Sequence, residues 1–444
     1  MSHSLHSSDA ISILKKYFIM TTFLLLYNIF IVPLLWCAFH LGGLLNKKIR
    51  RGISGRRSLF RDLSLNIQKL SGTKRIWFHA SSLGEFEQAK PIIAAIKKNY
   101  PHTDIIATFF SPSGFDNSKN YKLADIISYI PFDSIGAVQR FIGMVKPDAA
   151  IMVRYDIWPN MIFALRKEHI PTMIANATMK EHSSRALPLS RQFHHALYNN
   201  FTHILTVSKN DLNAFRQFSL TGPVMEAIGD TRFDQVKMRS IDAQQRVLLS
   251  PSITANKKIF IVGQSWQEDD KVIIPVLLKL QEHLPSLLTI IVPHEPTVEH
   301  LEELEDELSG SISFIRFSEL NNYSGQRIIL IDSIGILVAL YKYADVVYIG
   351  GSFRQGIHNV LEPAVFGKPV IYGPKHTNSQ EAVELASRGG GFVITGQKSL
   401  YRTLRTLLDD PLERERAGTI SESFVKENCG ATDRFLRYLE PFLK

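Results

Sequence analysis

Cysteine is scarce in this sequence: of 444 residues, only Cys37 and Cys429 carry a thiol. That number excludes a disulfide-framed secreted scaffold and any cysteine-rich zinc module. Glycine and proline are modest, at 26 and 20 residues, which excludes collagen-like and low-complexity chains. Because 45% of the residues are apolar and 21% are charged, the chain is expected to fold around cores of its own, in about two or three domains.

Acidic residues are nearly absent from the first part of the chain. Residues 1–61 hold nine Lys or Arg and one acidic residue, whereas the other 383 residues hold 42 basic and 41 acidic residues. The formal net charge of +9 therefore belongs almost wholly to the N-terminal end. This distribution argues against a basic groove along the body of the protein, and no nucleic-acid partner is expected.

Charge is missing altogether between Lys16 and Lys47, and the stretch 17–39 is almost wholly apolar. If helical, its 23 residues span about 34 Å, enough for a bilayer core of about 30 Å. Seven Lys or Arg follow within 47–61, against Lys15 and Lys16 before it. The positive-inside rule then predicts an anchor in the inner (cytoplasmic) membrane, with the body of the protein in the cytoplasm.

Three other interpretations of this stretch compete with a spanning anchor. A cleaved signal peptide fits less well, because the apolar run exceeds the usual length and no small-x-small cleavage site follows. A lipoprotein anchor at Cys37 fits poorly, because Trp36 is too bulky for the position before a lipidated cysteine. A helix lying in the interface of one leaflet stays open. Residues 1–46 are assigned to an N-terminal tail and membrane anchor.

The body of the chain alternates short β-rich runs with segments of helical length. Continuous apolar strands separated by helices are typical of parallel sheets covered by helices on both faces. Two series of seven strands predict an α/β protein with two doubly wound domains, 47–228 and 229–444, in which ligands bind beyond the carboxyl ends of strands. The predicted strands are 75–80, 104–110, 126–130, 149–153, 171–175, 204–207 and 224–228, then 258–263, 288–293, 311–316, 327–331, 345–349, 369–372 and 391–394.

The first strand-to-helix turn of interest carries the sequence HASSLGE, which ends at Glu85. Its small residues let a ligand approach the backbone, and a helix N-terminus offers free N–H groups. Two interpretations of Glu85 are equally supported by the spacing. It is either a general base that the helix start keeps ionised, or a residue that stabilises the helix dipole. No GxGxxG or GxxxxGK[ST] pattern supports a dinucleotide or P-loop site.

The second such turn lies within 346–369, where a strand ends in the glycine-rich run 350–352 and a loop with Arg354 follows. Asn359 is a predicted helix N-cap, and Glu362 stands three residues later, in capping-box position. Capping alone would explain this pair, but the run Glu-Pro-x-x-x-Gly-x-Pro is more specific than a cap requires. A carboxylate at a helix start is suited to accept ribose hydroxyls while the helix N-terminus faces a phosphate.

No metal site is predicted. His194 and His195 are adjacent, so on a helix they point in different directions, and the sequence contains neither H-x-x-x-H nor H-E-x-x-H. Asp269 and Asp270 lack the glycine or basic context of a metal–nucleotide site. Metal-independent chemistry without a cofactor is expected.

These motifs together resemble the 3-deoxy-D-manno-octulosonic acid (Kdo) transferases of lipopolysaccharide and lipid A biosynthesis, glycosyltransferase family 30. The resemblance covers essentially the whole chain and rests on WFHASSLGE, SPSG, WPN, GDTRFD and GGSFRQGIHNVLEPAVFGKPVIYGP, in that order. It implies a GT-B fold, with an acceptor domain and a CMP-sugar-binding domain that face a cleft. It also implies an inverting transfer of Kdo from CMP-Kdo to a lipid A precursor (lipid IVA) at the inner membrane.

The resemblance also implies roles for single residues. Glu85 matches the general base, which would take the proton from the acceptor hydroxyl. The residues that match the CMP-Kdo site are Pro293, His294, Ile334, Gly335, Ile336, Gly351, Ser352, Asn359, Val360, Leu361 and Glu362. The basic residues expected to add contacts with the phosphate or with Kdo are Arg232, Arg354 and Lys375.

The sequence departs from the family pattern at several positions. His294 and Glu295 replace Arg-His, so a fixed positive charge near the phosphate is lost unless His294 is protonated. Ile336 stands where many members have Glu, and Arg154-Tyr155-Asp156 precedes WPN where others have Glu-x-Glu.

Two rival functions remain. One is another GT-B enzyme that uses a UDP-sugar, either a transferase or a 2-epimerase, although an apolar anchor is unexpected in the epimerase. The other is a catalytically silent membrane scaffold, against which the retained Glu85 and the second glycine-rich turn argue.

Overall fold

The computed structural model of the protein describes residues 21–444. The chain forms two compact units, one up to Gln235 together with Cys429–Lys444, the other Val236–Asn428. Each unit contains a seven-stranded parallel sheet, and the strand orders are β3-β2-β1-β4-β5-β6-β7 and β10-β11-β9-β8-β12-β13-β14. The strands are β1 Lys74–Ala80, β2 Thr103–Phe109, β3 Ile126–Tyr129, β4 Ala149–Val153, β5 Thr172–Ala177, β6 His203–Thr206, β7 Val224–Ala227, β8 Lys258–Ser265, β9 Leu287–Pro293, β10 Phe314–Arg316, β11 Ile328–Leu330, β12 Val346–Ile349, β13 Val370–Tyr372 and β14 Gly391–Val393.

Helices connect these strands and cover both faces of each sheet. They are α1 Thr21–Leu45, α2 Lys47–Arg57, α3 Leu59–Ile67, α4 Leu83–Asn99, α5 Pro112–Ser118, α6 Ile135–Val145, α7 Pro159–Lys167, α8 Pro188–Tyr198, α9 Lys209–Arg216, α10 Thr231–Gln244, α11 Pro251–Thr254, α12 Gln267–His283, α13 Val298–Leu308, α14 Leu337–Leu340, α15 Leu361–Ala364, α16 Gln380–Arg388, α17 Gln397–Asp409, α18 Pro411–Asn428 and α19 Ala431–Leu439. Short 3₁₀ turns lie at Ser184–Ala186, Phe317–Asn322, Tyr341–Tyr343 and Glu440–Phe442.

All fourteen predicted strands are present, with ends within three residues of those predicted. The physical reason is burial on both faces, which requires apolar residues at successive positions of a strand. In β1, Trp77 packs in the core on one side of the sheet and Phe78 in the core on the other, and both are fully buried. The predicted fold class, two doubly wound α/β domains, is confirmed.

The predicted boundary at residue 229 assigns the last helix, α19, to the second domain, whereas in the structure α19 belongs to the first unit. The apolar face of α19, with Phe435 and Leu439, packs into the core beside α4 of the first unit. The carboxylate of Asp234 accepts hydrogen bonds from the N–H groups of Gly430 (2.6 Å) and Thr432 (2.7 Å) at the start of α19. The GDTRFD motif therefore ties the C-terminal end of the chain to the first unit.

The predicted apolar anchor 17–39 lies partly outside the described residues, since 17–20 precede them. Within residues 21–444, α1 is the helix that is long and apolar enough to cross a membrane. It continues to Leu45, six residues beyond the predicted end, and contains a π-helical segment at Tyr27–Ile31.

Candidate functional site

Glu85 lies in the first turn of α4, directly after β1, and is buried with 6% of its surface exposed. Its Oε2 accepts hydrogen bonds from the backbone N–H groups of Ser81 (2.6 Å) and Ser82 (3.1 Å). Glu85 thus completes a capping box with Ser82 at the start of α4. Both bonds go to one oxygen, so Oε1 is left for a ligand to approach.

Burial is the largest influence on Glu85, and it raises the pKa of this carboxyl, with a smaller contribution from the nearby charge of Asp156. The hydrogen bonds from Ser81 and Ser82 lower the pKa but do not outweigh burial. The sequence reasoning counted the helix start, which favours the ionised form, but not the desolvation that opposes it. A raised pKa makes the deprotonated carboxylate a stronger base.

Asp156 and His79 form a second polar pair beside Glu85. His79 is the penultimate residue of β1, and Asp156 follows β4, the neighbouring strand. His79 Nε2 lies 2.8 Å from Asp156 Oδ2. Although burial of Asp156 opposes ionisation, its hydrogen bonds with His79 and other neighbours hold the pKa of Asp156 below its usual value. From the sequence, Asp156 was noted only as a departure from the family pattern, and His79 was given no role of its own. The signal available was that each stands at the end of a predicted strand.

The SPSG and WPN motifs shape the carboxyl edge of the first sheet. Ser111 caps α5 through its side chain, which accepts from the Gly114 N–H (3.1 Å). A Cβ on Gly114 would come within 2.6 Å of the Phe109 ring, so glycine is required there. Trp158 stacks on Phe110 with ring centroids 5.0 Å apart. These residues pack around the strand ends from which Glu85, His79 and Asp156 project.

In the second unit, the glycine-rich turn after β12 is held by Asp269 at the start of α12. Its Oδ2 accepts from the Gly351 N–H (2.8 Å) and its Oδ1 from the Tyr348 hydroxyl (2.7 Å). Gly351 has φ +92°, and a Cβ there would meet the Gly356 carbonyl at 2.5 Å. Ser352 Oγ accepts from the Gly373 N–H (2.6 Å). Asp269 therefore positions this turn, and the described residues contain no group of three or more His, Cys, Asp or Glu side chains that could hold a metal ion.

Three rings meet beyond the ends of β8, β9 and β12. His294 stacks on Trp266 (centroids 4.5 Å apart) and on His358 (4.5 Å), and Trp266 Nε1 donates to His358 Nε2 (3.0 Å). Burial lowers the pKa of His294, and burial followed by the proximity of His294 lowers the pKa of His358 to about 4. Both shifts favour the neutral imidazole, so His294 is not a fixed positive charge of the kind an arginine would supply.

Arg354 places a permanent positive charge at this stack. Its guanidinium carbon lies 4.1 Å from the centroid of the Trp266 ring, in cation–π geometry, and its Nε lies 3.7 Å from Glu268 Oε1. Lys375 donates from Nζ to the Arg354 carbonyl (2.8 Å) and so braces the same loop. Two of the three basic candidates from the sequence are thereby brought together, while Arg232 lies in the first unit, paired with Asp230 at 2.7 Å.

Glu362 is buried in α15, with 7% of its surface exposed, and its Oε1 accepts from Nη1 of Arg239 in α10 at 3.0 Å. Asn359 does not occupy the N-cap position as predicted. That position belongs to Val360, and the Asn359 side chain accepts from the Leu361 N–H (3.0 Å). Arg239 is a residue that the sequence analysis missed, because 123 positions separate it from Glu362.

The remaining donor-site candidates lie at or after the strand ends on the same edge. Pro293 ends β9, and the segment with Gly335 (φ +81°) follows β11. Ile334 is 87% exposed, whereas Ile336 is buried. The sheet order places β11, β9, β8 and β12 side by side, so these turns share one edge of the second sheet.

Comparison with known proteins agrees with this architecture. A family model described as 3-Deoxy-D-manno-octulosonic-acid transferase (kdotransferase) matches residues 54–235. The chain is 30% identical over 384 residues to the 3-deoxy-D-manno-octulosonic acid transferase of Haemophilus influenzae. The aligned region covers 83% of this chain and 87% of that protein. The chain is 26% identical over 376 residues to the transferase of the same name from Rickettsia bellii, with 83% and 88% covered.

Solved structures share the fold at low identity. The UDP-GlcNAc 2-epimerase from Neisseria meningitidis has a TM-score of 0.60 and 15% identity, over 83% of this chain and all of that chain. MurG from Acinetobacter baumannii has a TM-score of 0.52 and 14% identity, over 83% and 99%.

Two doubly wound parallel sheets, each with its candidate residues at the carboxyl edge, define a protein of the GT-B class. Within that class, the match to the curated transferases decides the family. The chain belongs to the 3-deoxy-D-manno-octulosonic acid (Kdo) transferase family.

Proposed function

We propose that this protein is an inverting glycosyltransferase that moves Kdo from CMP-Kdo to a lipid A precursor. The observation that carries the proposal is the 30% sequence identity to the Haemophilus influenzae Kdo transferase over 83% of the chain. The fold alone does not decide the substrate, since UDP-GlcNAc 2-epimerases share it.

In this proposal Glu85 is the general base. Its free Oε1 accepts the proton of a glucosamine hydroxyl as that oxygen attacks the anomeric carbon of Kdo. The bond from this carbon to the CMP phosphate breaks, and CMP leaves as a monoester anion. A positioned base of this kind contributes about 10²–10⁴-fold to the rate. Because Glu85 lies within residues 47–228, this is the proposed acceptor domain.

The proposed donor domain, predicted as 229–444 and formed in the structure by the second unit, Val236–Asn428, holds CMP-Kdo through the turns of the second sheet. Glu362 accepts the ribose hydroxyls, and the backbone of 359–361 at the start of α15 faces the phosphate. Arg354 supplies the positive charge that a neutral His294 does not, because stacking on Trp266 holds its guanidinium at the same edge of the sheet. Arg232 and Lys375 are proposed as further contacts with the phosphate or with Kdo.

We also propose that the protein resides at the inner membrane, on its cytoplasmic side. The support is the apolar helix α1 followed directly by the basic helix α2, a pair that suits an apolar leaflet beside anionic headgroups. Anionic phospholipids attract such a basic segment by about 1 kcal/mol per near-surface charge.

Calorimetry with CMP and with UDP tests the donor class. The purified protein is expected to bind CMP and not UDP at equal nucleotide concentration. Tight binding of UDP with no binding of CMP would favour the UDP-sugar enzymes, and binding of neither by a folded protein would favour a silent scaffold.

Arg354→Ala is expected to weaken CMP binding about tenfold or more, the scale of a lost hydrogen bond to a charged group. Adding His294→Arg to this variant should recover part of the affinity, because it returns a cation to the same stack. Arg405→Ala is the matched control, since Arg405 lies on the surface of α17 next to Asp409. Unchanged affinity in Arg354→Ala would remove Arg354 from the donor site.

The pH dependence of kcat is expected to show the raised pKa of Glu85. Glu85 acts as a base only when it is deprotonated. Activity should therefore fall as the pH falls through the pKa of Glu85 in the folded protein. That acid limb should lie above about pH 4.3, the ordinary value for glutamate. The residual activity of Glu85→Gln should lack the limb, and persistence of the same limb in that variant would assign it to another group.

A further inference from the structure

We propose that α1 lies flat in one membrane leaflet, held there by the first unit, and does not cross the bilayer. The inference rests on the membrane association proposed above and goes beyond it by specifying the orientation of the helix. Length and composition allow both orientations, so the choice between them comes from the contacts that α1 makes.

One face of α1 is bound to the rest of the first unit by polar contacts. The Tyr27 hydroxyl donates to Asp133 Oδ2 (2.9 Å), and the side chains of Asn28 and Asn160 exchange hydrogen bonds (2.9 and 2.8 Å). Asp133 is itself buried, and its carboxylate accepts from the backbone N–H groups of Asn160 (2.9 Å) and Met161 (3.0 Å) at the start of α7. These bonds join the middle of the apolar helix to the carboxyl edge of the first sheet.

Aromatic contacts extend the same face toward both ends of the helix. The Phe23 ring packs edge-on against Phe193 of α8, with centroids 5.8 Å apart. The Phe39 ring packs against Phe110 and Phe132, both at 5.4 Å. From Phe23 to Phe39 a helix rises about 24 Å, so the attachment covers most of the thickness of a bilayer core of about 30 Å.

The opposite face of α1 is a continuous apolar surface. The large exposed apolar side chains of α1 are Leu25 (58% exposed), Leu26 (45%), Ile29 (53%), Phe30 (62%), Ile31 (44%), Leu34 (65%), Leu35 (46%), Trp36 (51%), Leu41 (64%), Leu44 (68%) and Leu45 (93%). Leu187 (61%) and Leu189 (76%) are exposed at the start of α8, the helix whose Phe193 packs against Phe23 of α1. Exposed apolar surface of this extent fits a hydrocarbon phase.

A crossing helix would carry its attached surface into the hydrocarbon. Asp133, Asn160 and the start of α7 would then lie at the depth of the bilayer core, where polar groups and open backbone are costly. A flat helix avoids this cost, because only its outward face enters the acyl region while the attached unit stays in water. The exposed apolar face of α1 is therefore expected to lie against the acyl chains of one leaflet.

The chain after α1 supports the same placement. Asn46 ends α1 and caps α2, with its side chain accepting from the Lys48 N–H (2.8 Å). In α2 the buried Arg56 donates to the carbonyls of Ile130 (2.9 Å) and Phe110 (2.8 Å), which fixes this helix to the same unit. The exposed basic residues of this segment are Lys47, Lys48, Arg50, Arg51 and Arg57. Anionic headgroups are the complementary surface for these charges.

The placement has a consequence for the proposed reaction. Phe110, Asp133 and Asn160, which hold α1, follow β2, β3 and β4. Glu85 follows β1 at the same carboxyl edge of the sheet. A flat α1 therefore brings the edge that carries Glu85 to the leaflet surface, where the sugar of a lipid acceptor is exposed while its acyl chains stay in the membrane.

Depth measurements on spin-labelled cysteines test the orientation. Leu26→Cys, Leu34→Cys and Leu44→Cys, each made in full-length protein with Cys37→Ser and Cys429→Ser, place labels along the outward face. Val32→Cys, on the inward half-buried side, is the matched control. The probe is the protein in vesicles of phosphatidylethanolamine and phosphatidylglycerol, with depth read from the relative access of oxygen and of a water-soluble nickel complex.

A flat helix predicts similar depths for the three outward labels, all within one leaflet, and little lipid contact for Val32→Cys. A spanning helix predicts depths that change by about 27 Å between positions 26 and 44 and pass through the bilayer centre, which would overturn the inference. Labels in contact with water alone would overturn membrane association itself. A melting curve and the transfer assay on each variant show whether it is folded. Loss of Kdo transfer with unchanged label depths would contradict the proposed function and leave the orientation of α1 unaffected.

Discussion

Replacing Glu85 by glutamine is expected to lower kcat for Kdo transfer by at least about a hundredfold and to leave CMP affinity nearly unchanged. The amide keeps the size of the side chain and an oxygen that accepts from the Ser81 and Ser82 N–H groups, but it does not take a proton. Steady-state kinetics beside calorimetry of CMP binding separates the loss of the base from damage to the donor site.

Glu87→Gln is the matched control for this experiment. Glu87 lies in the same helix, where its carboxylate pairs with Lys90 and accepts from Gln235 Nε2 (2.8 Å). Replacing Glu87 is expected to change kcat by less than about threefold. The variant loses only a partly solvent-exposed ion pair with Lys90, and such pairs contribute little. Turnover of Glu85→Gln at the level of wild type would show that another group is the base.

The second large effect is expected from Glu362→Ala, which should weaken CMP binding about tenfold to a hundredfold, or by about 1.5–3 kcal/mol. In the proposed function this carboxylate accepts the ribose hydroxyls, and its burial makes each such bond stronger than at the surface. Calorimetry of CMP binding is the measurement.

Arg239→Ala separates ribose binding from a structural role of Glu362. This variant keeps the carboxylate and removes the partner at 3.0 Å. If Glu362 binds the ribose, Arg239→Ala should weaken CMP binding less than Glu362→Ala does. If the ion pair only stabilises α15, both variants should melt at a lower temperature and bind CMP as wild type does.

The strands were predictable because their signal is local. Burial on both faces leaves a continuous apolar run, and each such run is visible without knowledge of its neighbours. The glycine-rich turn after β12 was predictable for a similar reason, since the positive φ of Gly351 and the close approach of the Gly356 carbonyl require glycine.

Long-range pairings were not predictable from local pattern. His79 and Asp156 meet because β1 and β4 are neighbours in the sheet, an order that the succession of strands does not specify. Glu362 meets Arg239, and α19 joins the first unit, for the same kind of reason. The raised pKa of Glu85 also depends on burial by distant segments, whereas the helix start is visible in the sequence.

The central claim, Kdo transfer, is tested most directly by incubating the full-length protein with CMP-Kdo and a tetraacylated lipid A precursor and recording the lipid by mass spectrometry. The account predicts a product heavier by one or more Kdo residues, with one CMP released for each residue added, and almost none in Glu85→Gln. An unchanged lipid from a protein that is folded and binds CMP would contradict it.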